Sequence, residues 1–354
     1  MSVHERGTGS RRTGFDAPDW WIYRGTGRPM HDIDLTEILP PPPPWRDFRG
    51  GPVSEQVLPP DDDGEADRRL GPEIHLAEWD VDAHELDVVN AALYLRRPLL
   101  LTGKPGVGKS SLAYRIAREL RLGRVLRWPI TSRTTLASGL YDYDAIGRVQ
   151  SAAVRSAGAE ETAIGDFVRL GPLGTAFLPS ALPRVVLIDE LDKSESDLPN
   201  DLLSIFEDGE FVIPELARVR EQLRAVSVHT NDPNGTATVE DGRVACRAFP
   251  VVVMTSNGER EFPPAFLRRV LQLEIKDPSA EQLAAMVANH LLDPQGEHRE
   301  RLVREFIEKS RAEGGLPADR LLDAVYLATS GAYQPDDAAW PRLVDALWRR
   351  LTEQ

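Results

Sequence analysis

The run Leu99-Leu100-Leu101-Thr102-Gly103-Lys104-Pro105-Gly106-Val107-Gly108-Lys109-Ser110 constrains this chain more than any other stretch. A short apolar segment runs into a loop of the form G-x-x-x-x-G-K-S, and Leu112, Ile116 and Leu120 then recur at helical spacing. The loop is therefore expected between a buried strand and a helix N-terminus, which makes it a phosphate cradle. Gly103, Gly106 and Gly108 let successive backbone N–H groups turn toward an anion, and the helix adds the partial positive charge of its first turn. Lys109 is placed to neutralise β- and γ-phosphates, and Ser110 to offer its hydroxyl to Mg²⁺ on the same phosphates. Lys104, Pro105, Val107 and Ser111 complete the cradle. The plain alternative is a glycine-rich turn with an exposed lysine; the strand and helix context weighs against it.

A second element complements the first. Arg184-Val185-Val186-Leu187-Ile188-Asp189-Glu190 reads as a buried strand ending in two acids, the pattern of a Walker B element. Asp189 at the strand's carboxyl end can hold Mg²⁺, and Glu190 can orient and activate an attacking water. A helix-capping carboxylate is the competing role for an acid after a strand. A further buried strand, Pro250 to Thr255, ends in Ser256-Asn257, whose amide can reach the γ-phosphate or the water; alone, such an asparagine more often sits in a turn. Phe262 to Arg269 reads as a short helix that delivers Arg268 and Arg269 just before a strand from Val270 to Ile275.

The remaining chain divides by composition. Residues 1 to about 75 carry scattered glycines, the prolines Pro40 to Pro44 and Asp61-Asp62-Asp63, with little apolar periodicity, and predict a flexible tail rather than a packed domain. Trp20-Trp21-Ile22-Tyr23 and Trp45 to Phe48 are too aromatic for a spacer. They predict either docking on the chain's own surface or a partner-binding peptide. Thr131 to Pro183 is a long polar, Gly/Ala-rich passage, and Thr236 to Phe249 reads as a hairpin turning at Asp241-Gly242, with Val226 and Val228 in a third strand. From Ser279 onward, helical patterns separated by Asp293-Pro294-Gln295-Gly296, Gly314 to Pro317 and Gly331 to Pro335 predict a small all-α domain. No run approaches a membrane span, and Met1 to Thr13 lack the apolar centre of a secretory signal. One cysteine, Cys246, excludes an internal disulfide framework and fits a reducing cytoplasm. A net charge of −14 without a basic block weighs against a protein built to grip nucleic acid.

Taken together, these motifs resemble the AAA+ ATPases, and within them the MoxR-like, dynein-related group, over residues 78 to 354. The resemblance rests on Walker A at 103 to 110, Walker B at 185 to 190, sensor 1 at Asn257 in Met254-Thr255-Ser256-Asn257, and Ala265-Phe266-Leu267-Arg268-Arg269 before the last core strand. It implies an α/β P-loop NTPase with a parallel, helix-flanked sheet over 78–276 and a helical lid over 277–354. It also implies an arginine finger acting on the neighbouring subunit, with Arg269 the position directly before the strand and Arg268 the second choice. Arg320 stands where the lid's sensor 2 arginine is expected. The long passage after the second strand resembles the group's helix-2 insert, and the 225–249 hairpin its pre-sensor-1 insertion. The implied protein is a hexameric ring in the cytoplasm that binds ATP and Mg²⁺, hydrolyses ATP, and remodels a protein substrate or a von Willebrand factor A-type partner. Rival classes are a nucleic-acid-directed NTPase motor of a restriction or defence system, which the acidic charge disfavours, and a nucleotide-gated scaffold with little turnover, which the Asp189-Glu190 pair disfavours.

Overall fold

The computed structural model describes residues 18–31, 34–53, 59–72, 81–154, 163–290, 297–312, 318–329 and 340–348. Its strands are β1 (Leu99–Thr102), β2 (Leu126–Pro129), β3 (Tyr141–Tyr143), β4 (Val168–Leu170), β5 (Val185–Asp189), β6 (Glu210–Val212), β7 (Ala225–His229), β8 (Thr236–Glu240), β9 (Arg243–Ala245), β10 (Val251–Ser256) and β11 (Leu271–Glu274). Five of them form a parallel sheet in the order β11-β1-β10-β5-β2. Successive side chains on these strands point to opposite faces, and both faces are covered, which is why β5 and β10 read as unbroken apolar runs. Leu100, Val186, Ile188, Val252 and Met254 enter one core, which continues into the second sheet. Leu99, Leu101, Val185, Leu187 and Val253 enter the other, beneath the helices Ala83–Leu95 and Lys109–Glu119.

The second sheet runs β3-β4-β7-β8-β9-β6. The turn expected at Asp241-Gly242 is present, with φ of +52° and +71°, the left-handed pair of a tight hairpin. The expected return strand to Phe249 is shorter, because β9 ends at Ala245 and Cys246 N–H donates to Gly209 O. The passage 131–183 is built rather than merely polar: β3 and β4 pair antiparallel, and β4 pairs with β7. Strands of three residues carry too little alternation to be read from sequence. Tyr141 stacks on Phe211 at 6.4 Å between ring centroids and donates to Glu215 Oε2 at 3.1 Å, so it belongs to this sheet's packing.

The described N-terminal residues depart from the expected flexible tail. Tyr23 is fully buried and Ile22 nearly so. Asn90 Oδ1 accepts from Ile22 N–H at 2.7 Å and Tyr23 N–H at 2.9 Å, while its Nδ2 donates to Tyr23 O at 2.7 Å and Leu86 O at 2.8 Å. Glu119, at the end of the P-loop helix, accepts from Arg24 N–H, Gly27 N–H and Thr26 Oγ1. Further along, Phe48 stacks on Phe249 at 5.4 Å, Arg124 N–H donates to Pro60 O, and the helix Glu65–Leu70 packs on the P-loop helix through Tyr114–Glu65 and Arg118–Asp67. Backbone hydrogen bonding, not apolar periodicity, ties this segment down, so its attachment is invisible to a periodicity test. Trp45 remains 74% exposed. After β11 come the helices Ala280–His290, Glu297–Ala312, Asp319–Thr329 and Trp340–Trp348, packed around Val287, Leu302, Phe306, Leu321 and Trp348. The glycine- and proline-rich breaks at 293–296 and 331–335, the stretch 314–317, and Met1 to Thr13 lie outside the described residues; the second of the C-terminal helices begins at Glu297.

Candidate nucleotide site

The cradle forms at the carboxyl end of β1. Gly103 has φ of +143°, and a Cβ there would lie 2.4 Å from Ile275 O, so only glycine lets the loop leave β1 beside β11. Gly108, at φ +92°, caps the helix that Lys109 begins. Lys109 is 7% exposed; its Nζ donates at 2.7 Å each to Gly103 O, Lys104 O and Asn257 Oδ1. Burial lowers its pKa, against the pull of Asp192, Asp189 and Glu190 nearby. A buried ammonium held only by neutral oxygens is matched to an incoming anion, and the donor set fits a nucleotide phosphate. Lys104 points elsewhere, to Asp277 Oδ2 at 2.6 Å.

Asp189 sits at the end of β5 with both carboxylate oxygens engaged. Oδ1 accepts from Ser110 Oγ at 2.7 Å and Thr255 Oγ1 at 2.9 Å, and Oδ2 from Arg127 Nη2 at 2.9 Å. Burial pushes its pKa up, but the hydrogen bonds from Ser110, Arg127 and Thr255 outweigh it and hold the carboxyl below its ordinary value. Ser110 and Asp189 are hard oxygen ligands suited to Mg²⁺. Among the described residues no group of three His, Cys, Asp or Glu side chains could hold a metal unaided, so phosphate oxygens would complete the coordination.

Glu190 takes a left-handed conformation, φ +63°, fixed by its N–H donating to Thr255 Oγ1 at 2.8 Å. Its side chain does not cap the short helix Leu191–Lys193 that follows; it is 44% exposed and accepts from Lys193 Nζ at 2.8 Å. A fixed backbone and a solvent-facing carboxylate leave Glu190 free to meet water. Asn257 is oriented from behind, since Asp192, 2% exposed, accepts from Asn257 N–H at 2.8 Å and Glu259 N–H at 3.0 Å. The expected residues Gly103, Lys109, Ser110, Asp189 and Asn257 thus meet in one place.

Three participants escape the sequence reading. Thr255 lies inside the quoted Met254 to Asn257 run and Asp192 two residues past Glu190, so both carried a positional signal. Arg127 carried none, because an arginine alternating with Leu126 and Trp128 reads as a surface residue.

Arg268 and Arg269 lie away from this cradle. β1 and β11 run parallel with Leu99 opposite Leu271, so Arg97 and Arg269 stand together at the amino ends of their strands. Gly103 lies six residues beyond Arg97, about 20 Å at ~3.3 Å per residue. Arg269 Nε donates to Glu207 Oε1 and its Nη1 to Ala265 O at 3.3 Å, while Arg268 is exposed. Arg320 is directed to Leu347 O, at 2.7 Å, and not to the cradle, although Ala318 N–H two residues earlier donates to Gly106 O at 3.2 Å.

Residues 98–270 match the family model of the AAA domain, dynein-related subfamily. Over these residues the chain is similar to an AAA domain. Its P-loop is a nucleotide-binding one, and its five-stranded parallel sheet flanked by helices is the α/β P-loop NTPase fold. No curated protein matches the chain. A solved structure to which it is similar is NtrX from Brucella abortus, at 14% identity and a TM-score of 0.39, with 78% of this chain and 56% of that chain covered. The chain spans little more than half the length of that structure. Among the described residues no helix is long and apolar enough to cross a membrane.

Proposed function

We propose that the AAA domain binds ATP with Mg²⁺ and hydrolyses it, and that copies of the chain form a MoxR-like ring that uses the cycle to remodel a protein partner. One observation carries the reading: Lys109, Asn257, Ser110 and Asp189 converge through hydrogen bonds of 2.7 Å at the carboxyl edge of the sheet. In this reading Lys109 and the loop amides bind the phosphates, Asn257 positions the attacking water, and Glu190 takes its proton. Ser110 and Asp189 would hold Mg²⁺, which supplies charge neutralisation on the phosphates. Sensor 2 would be Arg320, released from Leu347 when the lid closes.

The distance between Arg269 and its own cradle supports action on a neighbour's nucleotide. The second sheet, assembled from the segments that resemble the group's two insertions, supports the MoxR-like assignment and a protein target. The test is subunit mixing. Arg269→Ala should bind ATP nearly as well as the unsubstituted protein and turn it over roughly 10³-fold more slowly. Mixing it with Lys109→Ala should restore activity, because a mixed ring contains an interface with an intact cradle facing an intact arginine. No recovery in verified mixed rings would remove Arg269 from the finger's role, and full activity in a monomer would overturn the ring.

A further inference from the structure

Arg127 stands on β2, an edge strand of the parallel sheet, in register with Leu187 of β5. Its neighbours Leu126 and Trp128 enter one core and Leu187 enters the other, so Arg127 leaves β2 on the side of the P-loop helix. Asp189, two residues beyond Leu187, lies on that same side, and Arg127 Nη2 donates to its Oδ2 at 2.9 Å. Ser110 and Thr255 hold Oδ1. A guanidinium and a divalent cation draw on the same carboxylate charge, and bringing them together adds like-charge repulsion to a lost hydrogen bond.

Glu65 offers Arg127 a second partner. The helix Glu65–Leu70 lies across the P-loop helix, held by Tyr114 Oη donating to Glu65 Oε1 at 3.1 Å and by Arg118 Nη2 donating to Asp67 Oδ1 at 2.8 Å and Gly71 O at 3.0 Å. Just before β2, Arg124 N–H donates to Pro60 O at 3.0 Å, and a Cβ on Gly123 would lie 2.3 Å from the same oxygen. The N-terminal segment therefore runs directly beside the start of that strand. The hydrogen bond to Asp189 raises the Arg127 pKa most, and the charge of Asp189, Tyr114 and Glu65 add to it, so Glu65 is within electrostatic reach. The hydrogen bonds that the Glu65 side chain accepts, from Tyr114 and Arg68, both fall on Oε1 and leave Oε2 as an acceptor.

We infer that Arg127 is a positioning residue that competes with Mg²⁺ for Asp189 and passes to Glu65 when it yields, so that the N-terminal helix sets how much Mg²⁺ the site needs. The inference rests on the Mg²⁺-nucleotide reading above and adds to it a control by residues that precede the family match at 98–270. Two carboxylates share one guanidinium: a stronger pull from Glu65 frees Asp189, and a weaker one leaves it paired.

The experiment is titration calorimetry of the full chain with adenylyl imidodiphosphate over a series of free Mg²⁺ concentrations, read as the Mg²⁺ midpoint of the gain in affinity. Arg127→Gln keeps a hydrogen-bond donor without the charge; it should lower the midpoint about fivefold and leave affinity in EDTA within about twofold. Glu65→Gln keeps an acceptor for Tyr114 without the charge and should raise the midpoint about two- to threefold. In the Arg127→Gln background the Glu65 change should have no effect, because the guanidinium that couples them is gone. Unchanged melting temperatures check that the variants are folded. A midpoint unmoved by Arg127→Gln, or an equal loss of affinity with and without Mg²⁺, would overturn the competition. A Glu65→Gln shift that persists without the arginine would overturn the link to the N-terminal helix. An unsubstituted chain whose nucleotide affinity ignores Mg²⁺ would overturn the reading of Ser110 and Asp189 as metal-holding residues, and this inference with it.

Discussion

Replacing Asn90 by alanine isolates the attachment of the N-terminal segment. Asn90 is fully buried and supplies the partners of Ile22 N–H, Tyr23 N–H and Tyr23 C=O, at 2.7 to 2.9 Å. Alanine can supply none of them. If the segment stays in place, up to three buried backbone groups lose their partners, at about 1–3 kcal/mol each before relaxation. If it lifts away, the Tyr23 ring is exposed, losing about 1.5–3 kcal/mol of burial, and the contacts on Glu119 weaken as well. Since the cheaper route is taken, the expected loss is about 2–4 kcal/mol, or a melting temperature roughly 5–10 °C lower for a domain of this size. Urea unfolding measures the loss, and hydrogen exchange at the Ile22 and Tyr23 amides reports which route is followed. Asp87→Ala removes only the exposed bond from Trp21 Nε1 and serves as the control, at under about 0.5 kcal/mol. An Asn90→Ala variant as stable as that control, with unprotected Ile22 and Tyr23 amides in the unsubstituted protein, would refute the attachment.

Arg184 and Asp232 form a buried bidentate pair, at 2.7 and 2.9 Å, that ties the start of β5 to the loop after β7. Arg184→Ala leaves a buried carboxylate unpaired and should cost about 3–5 kcal/mol in urea unfolding; a loss below about 1 kcal/mol contradicts the pairing. Asp189 has a lowered folded pKa, so the stability its ionised form contributes is present above the unfolded value, about 3.9, and is lost as pH falls through the lower folded value. The stability difference between the unsubstituted protein and Asp189→Asn should therefore hold steady between about pH 5 and 7 and shrink below about pH 4; shrinkage within the higher range contradicts the assignment.

How much of this was legible in the sequence follows from where each interaction lies along the chain. The cradle could be read because its strand, loop and helix are contiguous, so Gly103 to Ser110 carry their own context. The central strands β1, β5 and β10 could be read because burial on both faces leaves nearly unbroken apolar runs. Asp192 and Thr255 lay within reach of motifs already noticed, whereas Arg127 is a partner of Asp189 only because β2 lies beside β5, an adjacency no local pattern encodes. Docking of Trp20 to Tyr23 on the chain's own surface was one of two readings the sequence left open, and it could not be chosen for a related reason. Asn90 and Glu119 grip backbone groups of residues 22 to 27, and a backbone grip leaves no periodic trace in the side chains it holds. Of the second sheet, β7 to β9 could be read from their alternation and the Asp241-Gly242 turn, whereas the three-residue strands β3, β4 and β6 alternate too briefly. Arg320 stands at the helix start where the resemblance expects sensor 2, and its Nη1 donates to Leu347 O, a partner 27 residues on that no local pattern encodes.

The central claim, that this site hydrolyses nucleotide with Glu190 as the base, is tested most directly by rapid-quench measurement of Mg²⁺-ATP binding and turnover in Glu190→Gln beside Lys109→Ala. Lys109→Ala should lose binding, because the buried ammonium is the cradle's main positive charge. Glu190→Gln should bind ATP within a few-fold of the unsubstituted protein and hydrolyse it about 10²–10⁴-fold more slowly. Turnover in Glu190→Gln within threefold of the unsubstituted protein, with ATP bound, would contradict the account.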